Sequence, residues 1–389
     1  MQHIYIIGSK GIPARYGGYE TFVEKLTAGQ KSLDIKYHVA SRRDNTELSQ
    51  ENDVFEYNGA EIFSIDVPNI GPAQAIAYDI KALQWAIKNA KDIEAEAPIF
   101  YILAARIGPF MGKYVKQIHA LGGTYLINPD GHEWKRAKWP LPVRKYWKVS
   151  EKGMVKHADL VVCDNRKIEE YIQDEYGTFK PNTTFIAYGT DTKPSSLSKS
   201  DSTVKNWFHE KNIQENNYYL IVGRFVPENN YETMIREFMK SDSKKDLVII
   251  TNVEKNKYYQ QLLQSTGFDK DGRIKFGGTV YNQPLLRYIR ENAFSYIHGH
   301  EVGGTNPSLL ESLSSTQLNL LVDVGFNRDV AHDAAIYWIK KDGHLANAIN
   351  KADQYTKEQL LINSDRAKQI IADEYTWDSI IDKYEVLFG

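Results

Sequence analysis

The sequence has almost no cysteine, no long apolar run and little excess of either charge. Its one cysteine, Cys163, excludes a fold stapled by intrachain disulfides and fits a reducing cytosol. No apolar run approaches the ~20 residues needed to span a bilayer. A strand-like run begins at His3, so we expect no signal peptide. The net charge of −2 gives no global electrostatic case for nucleic-acid binding. These absences predict a cytoplasmic protein.

Short apolar runs alternate with helical periodicity along the chain, a pattern typical of parallel α/β units. It predicts two doubly wound, Rossmann-like domains, over residues 1–190 and 205–375. Residues 191–204 are rich in serine, threonine and lysine and are predicted to be a linker. A closing helix over residues 376–389 is predicted to pack back on the first domain. Because such folds bind ligands at the carboxyl ends of their strands, the cleft between the domains is the expected site.

The predicted strands are short apolar runs bounded by loop residues. In the first half they cover residues 3–8, 36–41, 60–66, 98–104, 123–128, 158–163 and 183–188. In the second half they cover residues 218–223, 246–251, 273–276, 294–298, 318–323 and 335–339.

The loop over residues 301–311 (EVGGTNPSLLE) follows one of these strands and opens an apolar helix. Its two glycines allow a tight turn close to a ligand. Thr305 or Asn306 can cap the helix, and Pro307 suits its first turn. A strand, a glycine turn and a helix N-terminus together favour an anion such as a phosphate. Glu311, one turn further on, is placed to accept hydrogen bonds from sugar hydroxyls. The pattern predicts a sugar-nucleotide site.

Gly17 and Gly18 close the loop that follows the first predicted strand and begin a helix. Their backbone N–H groups can bind an anion or a sugar. The spacing differs from the dinucleotide fingerprint GxGxxG, which argues against a dinucleotide-dependent oxidoreductase. A turn that merely needs glycine is the alternative interpretation.

Arg224 follows the first strand of the second domain, at the end expected to carry the site. Its planar guanidinium can hold a diphosphate with two hydrogen bonds and stays charged at any pH. The alternative is a surface salt bridge with Glu228 or Glu232.

Two carboxylates and a histidine lie close together after another predicted strand, at Asp130, His132 and Glu133. A group that transfers or orients a proton is expected at such a strand end. No HxH, HxxxH or paired-cysteine spacing within this loop supports a metal site, so none is predicted. The alternative is a carboxylate that only holds its own loop.

Residues 134–148 combine three of the seven tryptophans with six lysines and arginines and contain no acidic residue. The tryptophans are Trp134, Trp139 and Trp147. Tryptophan beside cations is typical of a bilayer interface, where each cation contributes about 1 kcal/mol near anionic lipid. The pattern favours membrane contact. A solvated helix whose tryptophans pack inward is the alternative.

Taken in order, these motifs resemble those of the retaining glycosyltransferases of family 4, which have the GT-B fold. The resemblance spans essentially the whole chain and includes GRFVPE after the first strand of the second domain and the later NPSLLES. The strings YGGYETFVEKL, NPDGHEWKRAKW and HGHEVGGTNPSLLE are similar to bacterial β-1,4-rhamnosyltransferases of capsule or cell-wall polysaccharide synthesis.

That resemblance implies a donor, an acceptor and a location. The donor would be dTDP-β-L-rhamnose, and the acceptor a glucose or N-acetylglucosamine on a lipid (undecaprenyl) diphosphate. The enzyme would need no metal or other cofactor and would associate with the inner face of the cell membrane. We favour attack on the face of the leaving group within an ion pair. Double displacement through a carboxylate nucleophile is the competing mechanism, and the sequence does not separate the two.

The resemblance also assigns roles to residues. Glu311 matches the glutamate that holds the nucleotide ribose, and Arg224 matches the diphosphate arginine. Two family residues are replaced, since Gly303 stands where the first glutamate of an E-x7-E motif belongs, and Asn229 stands in place of a lysine.

Three sets of site residues follow from the motifs and the resemblance. The catalytic set is Asp130, His132 and Arg224. The donor-binding set is Gly17, Gly18, Arg224, Gly303, Gly304, Thr305, Asn306, Pro307, Ser308 and Glu311. The acceptor or membrane set is Asp130, Glu133, Trp134, Lys135, Arg136, Lys138, Trp139 and Tyr188, of which Tyr188 replaces an asparagine of the family. A UDP-hexose donor, or epimerase or hydrolase chemistry on the same fold, remains an alternative.

Overall fold

The structure is a computed structural model that describes residues 1–15, 17–136, 139–253 and 256–389. The chain divides into two compact units. Unit 1 contains residues 1–189 and 377–389, and unit 2 contains residues 190–376. Within the described residues no helix is both long and apolar enough to cross a membrane.

Unit 1 is built on one mostly parallel sheet. Its strands are β1 (Gln2–Ile7), β2 (Ile35–Arg42), β3 (Val54–Tyr57), β4 (Ala60–Ile65), β5 (Ile99–Leu103), β6 (Thr124–Asn128), β7 (Leu160–Cys163) and β8 (Thr183–Phe185). Among the described residues these eight strands have the order β3-β4-β2-β1-β5-β6-β7-β8. β3 alone of them is antiparallel, pairing with β4. The central strand β5 is buried along its whole length, as expected of a strand covered on both faces.

Helices cover the unit 1 sheet. They are α1 (Gly18–Ala28), α2 (Glu47–Glu51), α3 (Gln74–Asp92), α4 (Gly108–Ala120), α5 (Leu141–His157) and α6 (Arg166–Glu175). One core cluster joins Phe100 and Ile102 of β5 to Ala82 of α3, Met111 of α4 and Met154 of α5.

Unit 2 has a parallel sheet. Its strands are β9 (Tyr218–Val222), β10 (Asp246–Ile250), β11 (Ile274–Gly278), β12 (Ser295–His298), β13 (Asn319–Val322) and β14 (Ile336–Trp338). In the described part of unit 2 their order is β11-β10-β9-β12-β13-β14. β9 and β12 are parallel neighbours, with Tyr219 opposite Ser295 and Leu220 opposite Tyr296. Their carboxyl ends therefore lie side by side.

The unit 2 helices precede or follow these strands. They are α7 (Ser202–Glu210), α8 (Tyr231–Lys240), α9 (Lys257–Thr266), α10 (Gln283–Glu291), α11 (Pro307–Leu313), α12 (Gly325–Ala331), α13 (His344–Ala352) and α14 (Lys357–Glu374). The predicted doubly wound parallel α/β architecture is confirmed.

The last helix, α15 (Trp377–Phe388), belongs to unit 1. The Tyr384 ring lies 5.0 Å from the ring of Phe22 on α1, and its hydroxyl lies 2.9 Å from that of Tyr101 on β5. The side chain of Tyr384 is 1% exposed, so this helix completes one face of the unit 1 core.

Residues 191–204, predicted to be a linker, run along unit 2. The backbone N–H of Ser195 donates to Glu291 Oε1 at 3.0 Å, and its hydroxyl donates to Pro284 O at 2.7 Å. Leu197 packs against the apolar cluster that contains Trp207 and Tyr218. These contacts tie the segment to α10 and to the core of unit 2.

Candidate functional site

The carboxyl ends of β9 and β12 in unit 2 are joined by a small hydrogen-bond cluster. The carbonyl of Val222, the last residue of β9, accepts from the hydroxyls of Tyr296 and Ser308, each at 3.1 Å. The same two hydroxyl oxygens lie 3.0 Å apart. Ser308 belongs to the first turn of α11, so the start of this helix is fastened to the end of β9.

The side chain of Asn306 caps α11. Its Oδ1 accepts from the N–H of Ser308 at 2.9 Å, and Pro307 follows as the first helical residue. Of the two caps that the sequence allowed, the structure therefore uses Asn306. Gly303 has a φ of 140°, and a Cβ there would lie 3.2 Å from His300 Nε2. The turn requires glycine at this position, because both its φ and the space beside it disfavour a side chain.

Arg224 lies in the loop after β9 and is exposed. Its carbonyl accepts from Asn229 Nδ2 at 2.7 Å, and Asn229 Oδ1 lies 2.8 Å from His300 Nδ1. Asn230 Nδ2 donates to Gly299 O at 2.8 Å. The Arg224 loop is thus tied to the loop that leads to Gly303, and the predicted donor residues of unit 2 come together at one sheet edge.

Within the described residues the Arg224 guanidinium forms no ion pair. Of the two glutamates weighed as partners, Glu232 pairs with Arg236 at 3.1 Å instead. Glu228 is buried, and its Oε2 has no hydrogen-bond partner in the described part of the chain. The surface salt bridge is therefore not formed here, and the charge of Arg224 faces solvent.

Glu311 forms an ion pair that the sequence did not predict. Its Oε2 contacts Nη2 of Arg290, on the last turn of α10. The Arg290 side chain is 4% exposed and that of Glu311 is 38% exposed, so a buried cation lies behind a half-exposed carboxylate. Glu301, in the same glycine loop, pairs with Lys340 at 2.6 Å.

His298 ends β12 next to this cluster. Its Nδ1 lies 3.2 Å from the Tyr296 hydroxyl, and its Nε2 has no partner among the described residues. Burial lowers the pKa of His298 to about 3, so the ring is neutral at physiological pH.

Gly17 and Gly18 begin α1 of unit 1 and differ in what they require. Gly17 has a φ of 139°, and a Cβ there would lie 1.8 Å from Glu20 Oε2. Glu20 Oε1 in turn accepts from the N–H of Lys10 at 2.7 Å. Gly18 has open space beside it. Residue 17 must therefore be glycine because of its φ and the nearby Glu20 carboxylate. At residue 18 the local structure leaves room for a side chain.

Asp130 and His132 follow β6 in a tight loop of unit 1. Both have left-handed backbone, with φ values of 59° and 49°. The Asp130 N–H donates to Asn128 Oδ1 at 2.9 Å, and the Asp130 carboxylate lies 3.9 Å from Arg136 Nη2. The His132 ring lies 4.2 Å from that of Tyr171. The pKa of His132 is lowered to about 4, mainly by burial and further by the positive charges of Lys135 and Lys148. This histidine is therefore neutral near pH 7.

Trp134 and Trp139, which follow this loop, are partly buried and have polar partners, whereas the buried Nε1 of Trp147 has no hydrogen-bond partner among the described residues. Trp134 Nε1 donates to the Tyr171 hydroxyl at 3.2 Å, and Lys148 Nζ lies 4.6 Å from the Trp134 ring centroid. Trp139 Nε1 donates to Glu133 Oε1 at 2.7 Å. Much of the aromatic surface therefore packs on the protein, as in the alternative interpretation of this segment.

The remaining residues of the acceptor set differ in exposure. Lys135 is exposed, with its Nζ 5.1 Å from the Trp134 ring centroid, and Arg136 is buried and pairs with Glu133. Lys138 lies outside the described residues. Tyr188 is 7% exposed and packs edge-on to Phe22 at 5.7 Å.

A second network, absent from the predicted site, supports His132. Glu151 Oε1 accepts from the hydroxyls of Tyr171 and Tyr176, both at 2.5 Å, and Lys148 Nζ donates to Tyr171 at 2.6 Å. Burial raises the pKa of Glu151. These residues lie on α5 and after β7, far along the chain from His132, and no local motif marks them.

Comparisons with solved structures identify the architecture. The sucrose-phosphate synthase of Thermosynechococcus elongatus superposes with a TM-score of 0.80 at 15% identity, covering 100% of this chain and 98% of that one. HepE of Anabaena in complex with UDP gives 0.72 at 14% identity, covering 100% and 99%. A glycosyltransferase of Rickettsia africae gives 0.75 at 11% identity, covering 100% and 97%. The chain has the GT-B fold.

In sequence, residues 1–191 match a family described as a domain of unknown function, DUF1972. No curated protein sequence matches the chain. The GT-B prediction is therefore confirmed by structure, whereas the predicted family and sugar are tested by neither comparison.

The described part of this GT-B chain contains no group of three or more histidine, cysteine, aspartate or glutamate side chains arranged to hold a metal ion. The donor set other than Gly17 and Gly18 lies in unit 2, and the acceptor set lies in unit 1. The functional assignment of both sets stays a prediction.

Proposed function

We propose that this protein is a retaining glycosyltransferase. It transfers L-rhamnose from dTDP-β-L-rhamnose to a glucose or N-acetylglucosamine on a lipid diphosphate, in bacterial surface polysaccharide assembly. The observation that carries the proposal is the exposed Arg224, which forms no ion pair among the described residues and stands beside the loop of Gly303 and Asn306 at the carboxyl edge of a parallel sheet. The GT-B fold and the sequence resemblance support it.

The donor half of the reaction needs charge that stabilises a departing nucleoside diphosphate. Arg224 supplies a fixed cation, and a preorganised donor of this kind contributes about 3 kcal/mol to transition-state stabilisation. Asn229, in place of the family's lysine, contacts the Arg224 carbonyl and His300 and therefore holds the loop. More of the charge stabilisation consequently falls on Arg224.

On the acceptor side, His132 and Asp130 are proposed to orient the attacking hydroxyl. A histidine with a pKa of about 4 is neutral at pH 7 but is a weak base, so orientation suits it better than proton removal. The leaving diphosphate then takes the acceptor proton. Attack within an ion pair and double displacement both remain compatible with this arrangement.

We further propose that α5 contacts the inner face of the cell membrane. Leu141, Lys145 and Val149 are exposed and follow an i, i+4, i+8 spacing, which places them on one face of the helix. Leu141 and Val149 are 69% and 62% exposed. An apolar stripe that includes a lysine suits the headgroup region of an anionic bilayer. A lipid-linked acceptor would be presented at that surface.

One alternative has a specific observation in its favour. HepE, whose structure resembles this chain, was solved with UDP and with UDP and glucose. A UDP-hexose donor on the same fold is therefore the second candidate. Epimerase or hydrolase chemistry would consume donor without acceptor.

The test compares dTDP-β-L-rhamnose with UDP-glucose, UDP-galactose and UDP-N-acetylglucosamine, each offered with a synthetic lipid-diphosphate glucose or N-acetylglucosamine. Product mass is the readout. A deoxyhexose mass gain from the dTDP donor alone is expected. Transfer from a UDP-sugar would replace the rhamnose assignment, and donor loss without transfer would indicate hydrolysis or epimerisation.

A further inference from the structure

Arg290 is a buried arginine whose only ion pair in the described part of the chain is with Glu311. The residue is 3% exposed, and its Nη2 contacts Oε2 of the Glu311 carboxylate. Its Nε is buried and has no hydrogen-bond partner among the described residues. Separating a buried cation from its one carboxylate is strongly unfavourable. Arg290 therefore holds one oxygen of Glu311 in place.

The backbone on both sides of this ion pair is also fixed. The carbonyl of Arg290 accepts from Thr316 Oγ1 at 3.1 Å, which holds the end of α10. On α11, Ser308 bonds to Val222 O, which holds the first turn of the helix that carries Glu311. The two residues of the pair are thus presented by two anchored helices.

Glu311 keeps its second oxygen available. The side chain is 38% exposed, and Oε1 forms no hydrogen bond or ion pair within the described residues. A carboxylate with one oxygen held and one exposed accepts hydrogen bonds in a defined direction. The exposed residue Arg224 and the loop of Gly303 lie at the same carboxyl edge of the sheet.

We infer that Arg290 is a positioning residue, which fixes Glu311 so that Oε1 accepts a hydrogen bond from a pentose hydroxyl of a nucleoside diphosphate. The inference rests on the proposed function, which assigns the nucleotide to this edge of unit 2. Without Arg290, the Glu311 side chain loses its fixed rotamer, and ligand binding must order it again. Arg290 itself does not contact the ligand and acts through Glu311.

The experiment measures the calorimetric affinity of the whole protein for dTDP and for UDP. The variants are Arg290→Met, Arg290→Lys, Glu311→Gln and the double variant Arg290→Met with Glu311→Gln. Arg290→Met is expected to weaken binding by up to about tenfold, because the ligand must then order the Glu311 side chain that Arg290 no longer holds. Arg290→Lys keeps the charge and recovers part of the affinity. In the Glu311→Gln background, Arg290→Met is expected to lower the nucleotide affinity by less than a further factor of about three, because the effects of two residues that act as one unit are not additive.

Arg273→Met is the matched control. Arg273 immediately precedes β11, so it lies at the amino ends of the strands in the same sheet, away from the candidate site. There it pairs with Asp271 at 2.6 Å. This change lowers thermal stability without changing nucleotide affinity. If Arg290→Met does not fold, the same cycle is run with Arg290→Lys.

Unchanged affinity in the Arg290 variant overturns the inference and leaves the proposed function standing. An equally large loss in the Glu311→Gln background also overturns it, since Arg290 would then act by another route. If the unmodified protein binds neither dTDP nor UDP, the proposed function itself fails, and the role of Arg290 fails with it.

Discussion

Replacing Arg224 by alanine separates catalysis from stability, because the structure gives this side chain no ion pair among the described residues. An exposed residue of this kind contributes within about 0.5 kcal/mol to the free energy of unfolding. For a unit of this size, that corresponds to a change in Tm of about 2 °C or less. Loss of one preorganised donor for the leaving diphosphate lowers kcat by about 10²- to 10³-fold.

The assay pairs a thermal melt with turnover of the donor identified by product mass. Arg236→Ala is the control, because Arg236 also lies in unit 2, with 41% of its side chain exposed, but pairs with Glu232 on α8, at 3.1 Å. It is expected to leave turnover unchanged and to cost about 0.3–0.5 kcal/mol of stability. Arg224→Lys keeps the charge without the planar fork and regains part of the rate. A near wild-type rate for Arg224→Ala would remove Arg224 from diphosphate binding and refute this reasoning.

Three further predictions concern His132, the exposed face of α5 and whether turnover needs a metal ion. The pKa of His132 is lowered to about 4, so between about pH 4 and 6.5 the unfolded chain binds a proton that the folded chain does not, and the free energy of unfolding falls as the pH falls through that window. Thermal melts across this range are expected to show a smaller loss of stability for His132→Gln than for the unmodified protein. Parallel plots of Tm against pH for the two proteins would contradict this. The double variant Leu141→Asp with Val149→Asp is expected to bind anionic vesicles more weakly while keeping its fold. The control Leu361→Asp, at a residue 60% exposed on α14, is expected to bind as the unmodified protein does. Equal binding by the unmodified protein, the double variant and the control would remove α5 as the membrane face. A chelator is expected to leave turnover unchanged, and strong inhibition reversed by a divalent cation would show that fixed protein charge does not replace a metal.

Most strands were predictable because buried parallel strands are continuous apolar runs. β5 (IFYIL) and β12 (SYIH) are buried along their whole length and were placed within one residue. β3 was missed. Its residues alternate between exposed and half-buried, and among the described strands it pairs with β4 alone, at the edge of the sheet. A short, half-solvated edge strand lacks the apolar run that marked the others.

The loops of the candidate site were predictable because they follow strands directly in sequence. The structure brings Arg224 and the loop of Gly303 to the same edge of unit 2, through Asn229 and His300. Arg290 was not predictable, because an arginine on an amphipathic helix is usually a solvated residue. Its burial depends on how α10 packs beside α11, which is tertiary information.

The residues packed around His132 could not be predicted from the sequence for the same reason. Tyr171 and Glu151 are separated from it by 39 and 19 residues, and only the packing of α5 beside α6 brings their side chains together. The inward packing of Trp134 has the same origin, since its partners are Tyr171 and Lys148.

The return of α15 to unit 1 has a consequence for how the protein is made. Phe22 and Tyr101 belong to the first quarter or so of the chain, yet the ring that covers them, Tyr384, is among its last residues. A ribosome must therefore synthesise all of unit 2 before unit 1 can close this face of its core. A fragment limited to residues 1–191, the span that matches DUF1972, would leave these aromatic rings uncovered. Such a fragment is expected to bind chaperones and aggregate until a peptide carrying α15 is supplied in trans.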